Sequence, residues 1–169
     1  MKKLNKFYSD IEYFNIVDDI LDNDKFKKTN YCKHHGLTRM EHSIKVSYYS
    51  YKISKKLKLD YKATARAGLL HDFFINEDIE QKNISAFIHP YKSLDNSKQY
   101  FYLSEKEEDI IISHMFPILP HKIPKYLESW LVSLTDKIVA TYEFYYSYAR
   151  AYVYKFSNFY MFLLLLLRK

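Results

Sequence analysis

The chain has 169 residues, of which 48% are hydrophobic and 27% charged, a balance that excludes an intrinsically disordered protein. The presence of only 2 Gly and 4 Pro argues against a many-turned β protein, and no segment alternates between polar and apolar residues as a strand does. A net charge of +6 is compatible with an anionic substrate or a nucleic acid and establishes neither. We therefore expect a single all-α domain over residues 1–169.

The sequence carries one cysteine, Cys32, so no intramolecular disulfide can form, as is usual in a reducing cytosol. The basic N-terminus is not followed by an apolar stretch, which predicts no signal peptide and a cytoplasmic protein. The apolar end, Phe159 to Leu167, is shorter than the roughly 20 residues that span a bilayer. We expect this tail to pack on the domain or to form a homodimer, with no transmembrane segment.

Two early segments predict helices. Asn5 to Leu21 is amphipathic and is followed by a polar break, with apolar residues at helical spacing at Phe7, Ile11, Phe14 and Val17. Thr38 and Glu41 have capping-box spacing and predict the start of a second helix. That helix carries one stripe of residues that we expect to face the core: His42, Val46, Tyr49, Ile53 and Leu57.

Asp60 predicts the cap of a third helix, in which Ala63, Ala67 and His71 lie on one face and Gly68 indicates tight packing. Residues 73–88 are irregular, and His89-Pro90 predicts the opening of the next helix. A second capping box leads into another helix, which Pro117 and Pro120 end. Its residues are Ser104, Glu107, Ile110, Ile111 and His114.

Pro124 predicts the start of a long last helix. Its main stripe consists of Leu127, Leu131, Leu134 and Ile138. Asp136 lies off that stripe, beside Val132 and Val139.

The pair His71-Asp72 ends a helical run, where an imidazole and a carboxylate can converge on one ion. His42 upstream and Asp136 downstream lie on two other predicted helices and would complete a divalent metal site. Mixed His and carboxylate ligands suit Mn, Fe, Co, Ni, Zn or Mg. Such a ligand set leaves coordination positions open, and open positions indicate catalysis on a bound water.

The segments His42-Ser43, Ala67-Gly68-Leu69-Leu70-His71-Asp72 and Asp136 resemble the HD superfamily of metal-dependent phosphohydrolases over roughly residues 30–145. The resemblance implies a helical bundle with a divalent metal at its centre and hydrolysis of a phosphate ester. It also implies that His42, His71, Asp72 and Asp136 hold the first metal.

Some members of that superfamily hold a second metal with additional histidines between the two aspartate positions. The resemblance then implies that Asp72 bridges two ions and that His89 and His114 hold the second, giving one or two metals per chain. Here His114 is followed by Met115, whereas the members with a GYP element commonly show adjacent histidines at this point.

Arg39 and Lys45 are the predicted substrate-binding residues, because Arg39 lies in the first helical turn, where backbone N–H groups favour anions. Asp72 and Arg39 are predicted to be catalytic. Some nucleotidase members carry a Glu three residues after the His-Asp pair, but this chain has Ile75 there. Glu77, close by, is therefore the predicted general acid, with Asp78 as the alternative.

The leading hypothesis is a metal-dependent phosphohydrolase that cleaves a nucleotide or another small phosphate ester through metal-activated water. The alternative is a helical module that binds a metal or nucleotide with weak or no catalysis. Binding of a nucleic acid is the least favoured reading, because the densest basic segment is typical of a solvated helix face; its residues are Lys52, Lys55, Lys56 and Lys58.

Overall fold

The computed structural model describes residues 7, 9–34, 37–75 and 85–166. Within these ranges the chain forms seven α-helices, a 3₁₀ turn at Lys28–Tyr31 and a two-residue antiparallel hairpin. The helices are α1 Ile11–Asp22, α2 Asp24–Lys27, α3 Arg39–Lys56, α4 Tyr61–Leu70, α5 Ser85–Tyr100, α6 Glu105–Ser113 and α7 Leu127–Leu166. The strands are β1 Lys33–His34 and β2 Leu37–Thr38. The all-α prediction is confirmed.

The predicted helix starts at three caps are confirmed. Thr38 and Glu41 form a reciprocal capping box, in which the Glu41 backbone N–H donates to Thr38 Oγ1 at 3.2 Å. Ser104 and Glu107 do the same at the start of α6. Asp60 Oδ1 accepts from the Ala63 backbone N–H at 3.1 Å and caps α4. These caps set the helix starts by pairing otherwise orphaned N–H groups.

Helices α3 and α4 pack closely at the centre of the domain, and small residues permit the approach. The serines of α3 that are buried are Ser43, Ser47, Ser50 and Ser54. A Cβ added to Gly68 would lie 3.0 Å from the Cα of Ser47, so the tight packing predicted at Gly68 is confirmed. Ser47 Oγ also donates to the carbonyl of Ala65 at 2.6 Å, which ties the two helices together.

This close packing explains why the stripe predicted for α3 is partly wrong. His42 and Val46 are buried as expected, but Tyr49, Ile53 and Leu57 are 44%, 41% and 61% exposed. Large side chains would hold α4 away from α3, so the face turned to α4 carries serines instead.

The apolar stripe of α7 also lies outside the core. Leu127, Leu134 and Ile138 are 68%, 59% and 60% exposed, whereas the opposite and more polar face of the helix is buried. The polar face lies inside because it carries Asp136 into the domain. Hydrophobic spacing therefore identifies a helix here but not the face that packs on the core.

The structure also corrects three of the predicted helices. The first is interrupted at Ser9 and Asp10, and α1 begins at Ile11, where Asp10 caps it by accepting from the Tyr13 N–H at 3.2 Å. Its predicted start, Asn5, lies outside the described residues, and the buried residues of α1 are Tyr13, Val17, Ile20 and Leu21. Helix α5 begins at Ser85 and contains Pro90. Helix α7 begins at Leu127, and Pro124 is buried in the preceding loop.

Candidate metal centre

Six buried side chains from five separate segments converge in the centre of the domain. His42 lies in the first turn of α3, His71 and Asp72 follow α4, and the others lie on α5 to α7. None of the six is more than 8% exposed. We call this set the His/Asp cluster: His42, His71, Asp72, His89, His114 and Asp136.

The cluster contains three overlapping groups whose ligand atoms all lie within 4.8 Å of one another. The groups are His42 with His71 and Asp72, His71 with His114 and Asp136, and Asp72 with His89 and His114. Each group offers imidazole nitrogens together with a carboxylate oxygen, which is a donor set typical of divalent transition metals. Because the groups share members, they form one continuous centre.

His42 is held between two carboxylates. Its Nε2 lies 3.0 Å from Asp136 Oδ1, and its Nδ1 lies 2.8 Å from Glu143 Oε2. Burial alone would lower the pKa of His42, but the hydrogen bonds to Asp136 and Glu143 outweigh it and raise the pKa to about 10. The metal-free cluster therefore keeps a proton on His42 that a cation would replace.

His71 supplies the observation that best tests the fit to a metal. Its Nδ1 donates to the carbonyl of Gly68 at 2.8 Å, so in the neutral ring Nε2 carries the lone pair. Nε2 has no hydrogen-bond partner among the described residues and lies 3.6 Å from Asp136 Oδ1 and 3.8 Å from Asp72 Oδ2. A lone pair buried beside two carboxylates fits a cation bound between them.

His89 and His114 face each other through Nε2 atoms that lie 2.9 Å apart. His114 Nδ1 donates to the carbonyl of Ile111 at 2.7 Å, which leaves its Nε2 as an acceptor or a metal ligand. Asp72 Oδ1 lies 3.3 Å from His89 Nε2 and 3.7 Å from His114 Nε2. Burial, together with the neighbouring His71 and His89, lowers the pKa of His114 to about 3, so His114 stays neutral.

Asp136 supplies negative charge to the cluster. Burial would raise the pKa of its carboxyl, but the hydrogen bond with His42 and the charge interaction with the nearby His71 ring hold the pKa well below its usual value. The carboxylate therefore remains ionised at neutral pH and available to a cation.

Glu143 is a cluster neighbour that sequence reasoning missed. Its side chain is 1% exposed, and it joins His42 Nδ1 to Lys45 Nζ, which lies 2.7 Å from Oε1. Burial raises the pKa of Glu143, and the hydrogen bonds from His42 and Lys45 lower it more. The missed signal was spacing, since Glu143 follows Asp136 by seven residues and two helical turns are about 7.2 residues.

Lys137 is a second residue that sequence reasoning missed. Its Nζ donates to the carbonyl of His114 at 2.6 Å and to that of Ser133 at 3.2 Å. The same ammonium lies 3.7 Å from Asp136 Oδ2, and burial lowers its pKa. It joins α7 to the segment after α6 and so holds Asp136 and His114 near each other.

The predicted substrate and catalytic residues lie in different settings. Arg39 is buried, and its Nη1 donates to the carbonyl of Phe74 at 2.8 Å. Its guanidinium carbon Cζ also lies 3.6 Å from the centre of the Phe74 ring. It therefore anchors the segment that follows Asp72. Lys45 is engaged with Glu143. Glu77, like Asp78, lies outside the described residues.

The basic segment at the end of α3 is paired with acidic residues of α1. Lys52 Nζ lies 3.4 Å from Asp10 Oδ2, and Lys55 pairs with Glu12. These pairs offset part of the positive charge there, as expected for a solvated helix face. Among the described residues, no helix combines the length and apolar character that a bilayer span requires.

Comparison with known proteins agrees with this geometry. The profile of the HD domain matches residues 39–141, which is more than half of the chain. No curated protein and no solved structure matches the chain significantly. The matched range contains the whole His/Asp cluster, whereas Glu143 lies just beyond it. The chain therefore belongs to the HD domain family, a superfamily of metal-dependent hydrolases.

Proposed function

We propose that this protein is a metal-dependent phosphohydrolase that acts on a nucleotide or another small phosphate ester. The observation that carries the proposal is the buried His71 Nε2 atom, which lies near Asp72 and Asp136 and has no hydrogen-bond partner in the described part of the chain. A cluster kept only for stability would pair this nitrogen with a donor, because a buried polar atom without a partner costs free energy.

The first metal position is proposed to use His42, His71, Asp72 and Asp136. The short contacts between these groups support the assignment, since all four side chains already meet in a dry interior. Glu143 would accept from His42 Nδ1–H and thereby leave Nε2 for the ion. Such carboxylate–histidine pairs fix the orientation and tautomer of metal-binding histidines.

A second metal position is proposed to use Asp72, His89 and His114. The support is that Asp72 Oδ1 approaches both histidines while Oδ2 is the oxygen near His71. One carboxylate thus offers an oxygen to each half of the cluster, as a bridging ligand does. The opposed Nε2 atoms of His89 and His114 fit a shared cation better than they fit each other.

Divalent cations bound at these positions would lower the pKa of a bound water and polarise a phosphoryl oxygen. The chain itself supplies the exclusion of bulk water, the ionised carboxylate of Asp136 and the buried carboxyl group of Asp72. Arg39 is the proposed phosphate-binding residue, because its buried Nε has no hydrogen-bond partner among the described residues. Glu77 remains the proposed general acid, and Lys45 is proposed to act through Glu143.

The test is elemental analysis of protein purified without chelator or metal-binding tag, followed by hydrolysis assays on phosphate monoesters and diesters with Mn or Co added. We expect bound metal and turnover in the wild type, and loss of both in His71→Ala. His121→Ala is the matched control, because His121 is exposed and contacts Tyr91 outside the cluster.

The two alternative outcomes are distinct. Metal binding without turnover of any phosphate ester would favour a helical binding module. A wild type that takes up no Mn, Co or Zn, or a His71→Ala variant that keeps its metal, would contradict the proposed centre.

A further inference from the structure

Helix α7 turns its more polar face to the domain interior. The buried residues of this face are Glu128, Ser129, Val132, Ser133, Thr135, Asp136, Val139 and Glu143. Two of them make hydrogen bonds to neighbouring segments. Ser129 Oγ donates to Asp109 Oδ2 at 2.7 Å, and Ser133 Oγ donates to the carbonyl of His114 at 2.8 Å. The polar side chains of α7 are therefore turned to the interior, and its apolar side chains lie on the outer face.

The opposite face of α7 is an apolar stripe on the outside. We call it the outer stripe: Leu127, Leu131, Leu134, Ile138, Tyr142, Tyr145, Ala149 and Tyr152. The steps from Leu127 to Ile138 and from Ile138 to Ala149 are eleven residues each, a repeat that keeps apolar residues on one side of a nearly straight helix. Tyr145 and Tyr152 are 72% and 66% exposed.

The described helix continues past the domain with large apolar side chains on every side. Beyond Glu143 the exposed large residues are Phe144, Tyr145, Tyr146, Tyr148, Tyr152, Val153 and Tyr154. A helix that is apolar all round is normally buried, and an apolar patch of this length marks an interaction surface. Within the part of the chain that the structure describes, these side chains stay largely exposed.

We propose that the outer stripe is the surface through which two copies of this chain associate. A straight stripe is complementary to itself, so one two-fold axis can pair it with the same stripe of a second copy. The stripe contains no charged residue, so two copies meet without like-charge repulsion. From Phe144 to Tyr154 the sequence has Arg150 as its one charged residue, which the helical spacing puts away from the stripe.

The charge pattern favours a protein copy over a lipid surface. A helix that lies on a membrane carries many Lys and Arg on the face opposite its apolar face. Helix α7 instead has acidic and hydroxyl side chains on that face, and they are turned into the domain. The face of α7 opposite the outer stripe therefore has no row of basic side chains that could bind lipid headgroups.

The area is sufficient for a stable pair. Each large aromatic side chain buries about 150–250 Å² when fully covered. Five members of the stripe with exposures of 59–68% and the more exposed Tyr145 lie within the described helix. Only nearly complete cover of these six side chains on both copies reaches the roughly 1,600 Å² of a standard protein interface, so the whole stripe has to take part.

The proposal is tested by sedimentation velocity of the full chain across a concentration series up to about 100 µM, well above a micromolar dissociation constant. We expect a wild-type dimer and a roughly 100-fold weaker dimer for Tyr145→Glu, because a carboxylate would have to be desolvated in an apolar interface. Tyr154→Glu is the control: it introduces the same charge at a site that is 68% exposed and half a turn away.

A second variant, Tyr142→Glu, repeats the test at another exposed stripe position, and circular dichroism checks that each variant keeps its helix content. The proposal is overturned if the wild type stays monomeric across the series, or if Tyr154→Glu weakens the dimer as much as both stripe variants do. A monomeric wild type that co-sediments with vesicles of phosphatidylserine and phosphatidylcholine would assign the stripe to a lipid surface instead. Metal content is a separate readout, so neither result depends on the proposed hydrolase.

Discussion

The two halves of the His/Asp cluster use the same residue type in opposite electrostatic settings. Around His42 and His71 the neighbours include the carboxylates of Asp136 and Glu143, and the pKa of His42 is raised to about 10. Around His89 and His114 the neighbours are other imidazoles with Asp72 at their edge, and burial with those imidazoles lowers the pKa of His114 to about 3. Both rings are almost completely buried, so burial alone cannot explain the difference.

The difference teaches that burial favours the neutral form of both histidines, and that the carboxylates beside His42 reverse this effect whereas the imidazoles beside His114 add to it. The carboxylate-rich half, His42, His71 and Asp136, concentrates negative charge and is expected to hold a cation more tightly. The imidazole-rich half, His89 and His114, depends on Asp72 for its negative charge. Asp72 therefore connects the two halves, and its loss is expected to affect both.

The largest effect is expected for Asp72→Asn, which keeps the side chain's size and removes its charge. Metal content should fall in both halves, and phosphate ester hydrolysis should fall by more than the roughly 10- to 100-fold that loss of an outer-sphere partner costs. Elemental analysis and the hydrolysis assay measure the two quantities. A variant that kept two ions per chain would show that Asp72 does not bridge the halves.

The next largest effect is a loss of metal from one half of the cluster but not from the other. We expect His114→Ala to lose the ion of the imidazole-rich half and to keep the other, whereas His42→Ala should weaken the ion of the carboxylate-rich half. Titration of metal-free protein with Mn or Zn counts the ions each variant binds. Equal losses in both variants would mean that the cluster holds one shared ion, and unchanged metal content in His114→Ala would reduce His114 to packing.

A smaller effect is expected for Glu143→Gln. The amide can still accept from His42 Nδ1–H, but without negative charge the pair is weaker, and metal affinity should fall by about 10- to 100-fold. Competition with a chelator of known affinity measures the change. Lys45→Met is the matched variant, because it breaks only the outer contact of Glu143 at 2.7 Å and should cost less. A larger loss of metal affinity in Lys45→Met than in Glu143→Gln would contradict the proposal that Lys45 acts through Glu143.

The smallest effect is a difference in how pH changes the stability of the metal-free protein. Because the folded pKa of His42 is raised, its stabilisation is complete below the unfolded pKa and is lost as pH rises toward about 10. Because the folded pKa of His114 is lowered, its stabilisation is present above the unfolded pKa and is lost as pH falls toward about 3.

Urea unfolding in the presence of chelator at about pH 5, 7 and 9 tests these signs. The destabilisation by His42→Gln should shrink as pH rises, and the destabilisation by His114→Gln should shrink as pH falls. If both variants change with pH in the same direction, the electrostatic contrast between the halves is wrong.

Much of the helical order was predictable because the signals are local. Thr38, Asp60 and Ser104 pair with backbone N–H groups three residues away, so their caps depend on little else in the fold. Asp10 was not recognised as a cap, and the break in the helix before Ile11 was missed for that reason. The faces of α3 and α7 were not predictable from apolar spacing, because close approach of α4 and the cluster required small and polar residues inside.

The sequence by itself determined the helical class, the helix starts at three caps and the six residue types of the cluster, since caps and ligand chemistry are local properties of the sequence. Only the tertiary structure decided which atoms meet: that His71 Nε2 faces two carboxylates, that Glu143 holds His42, and that the apolar face of α7 lies outside. These depend on how helices distant in sequence pack against each other, and packing is settled by the whole core at once.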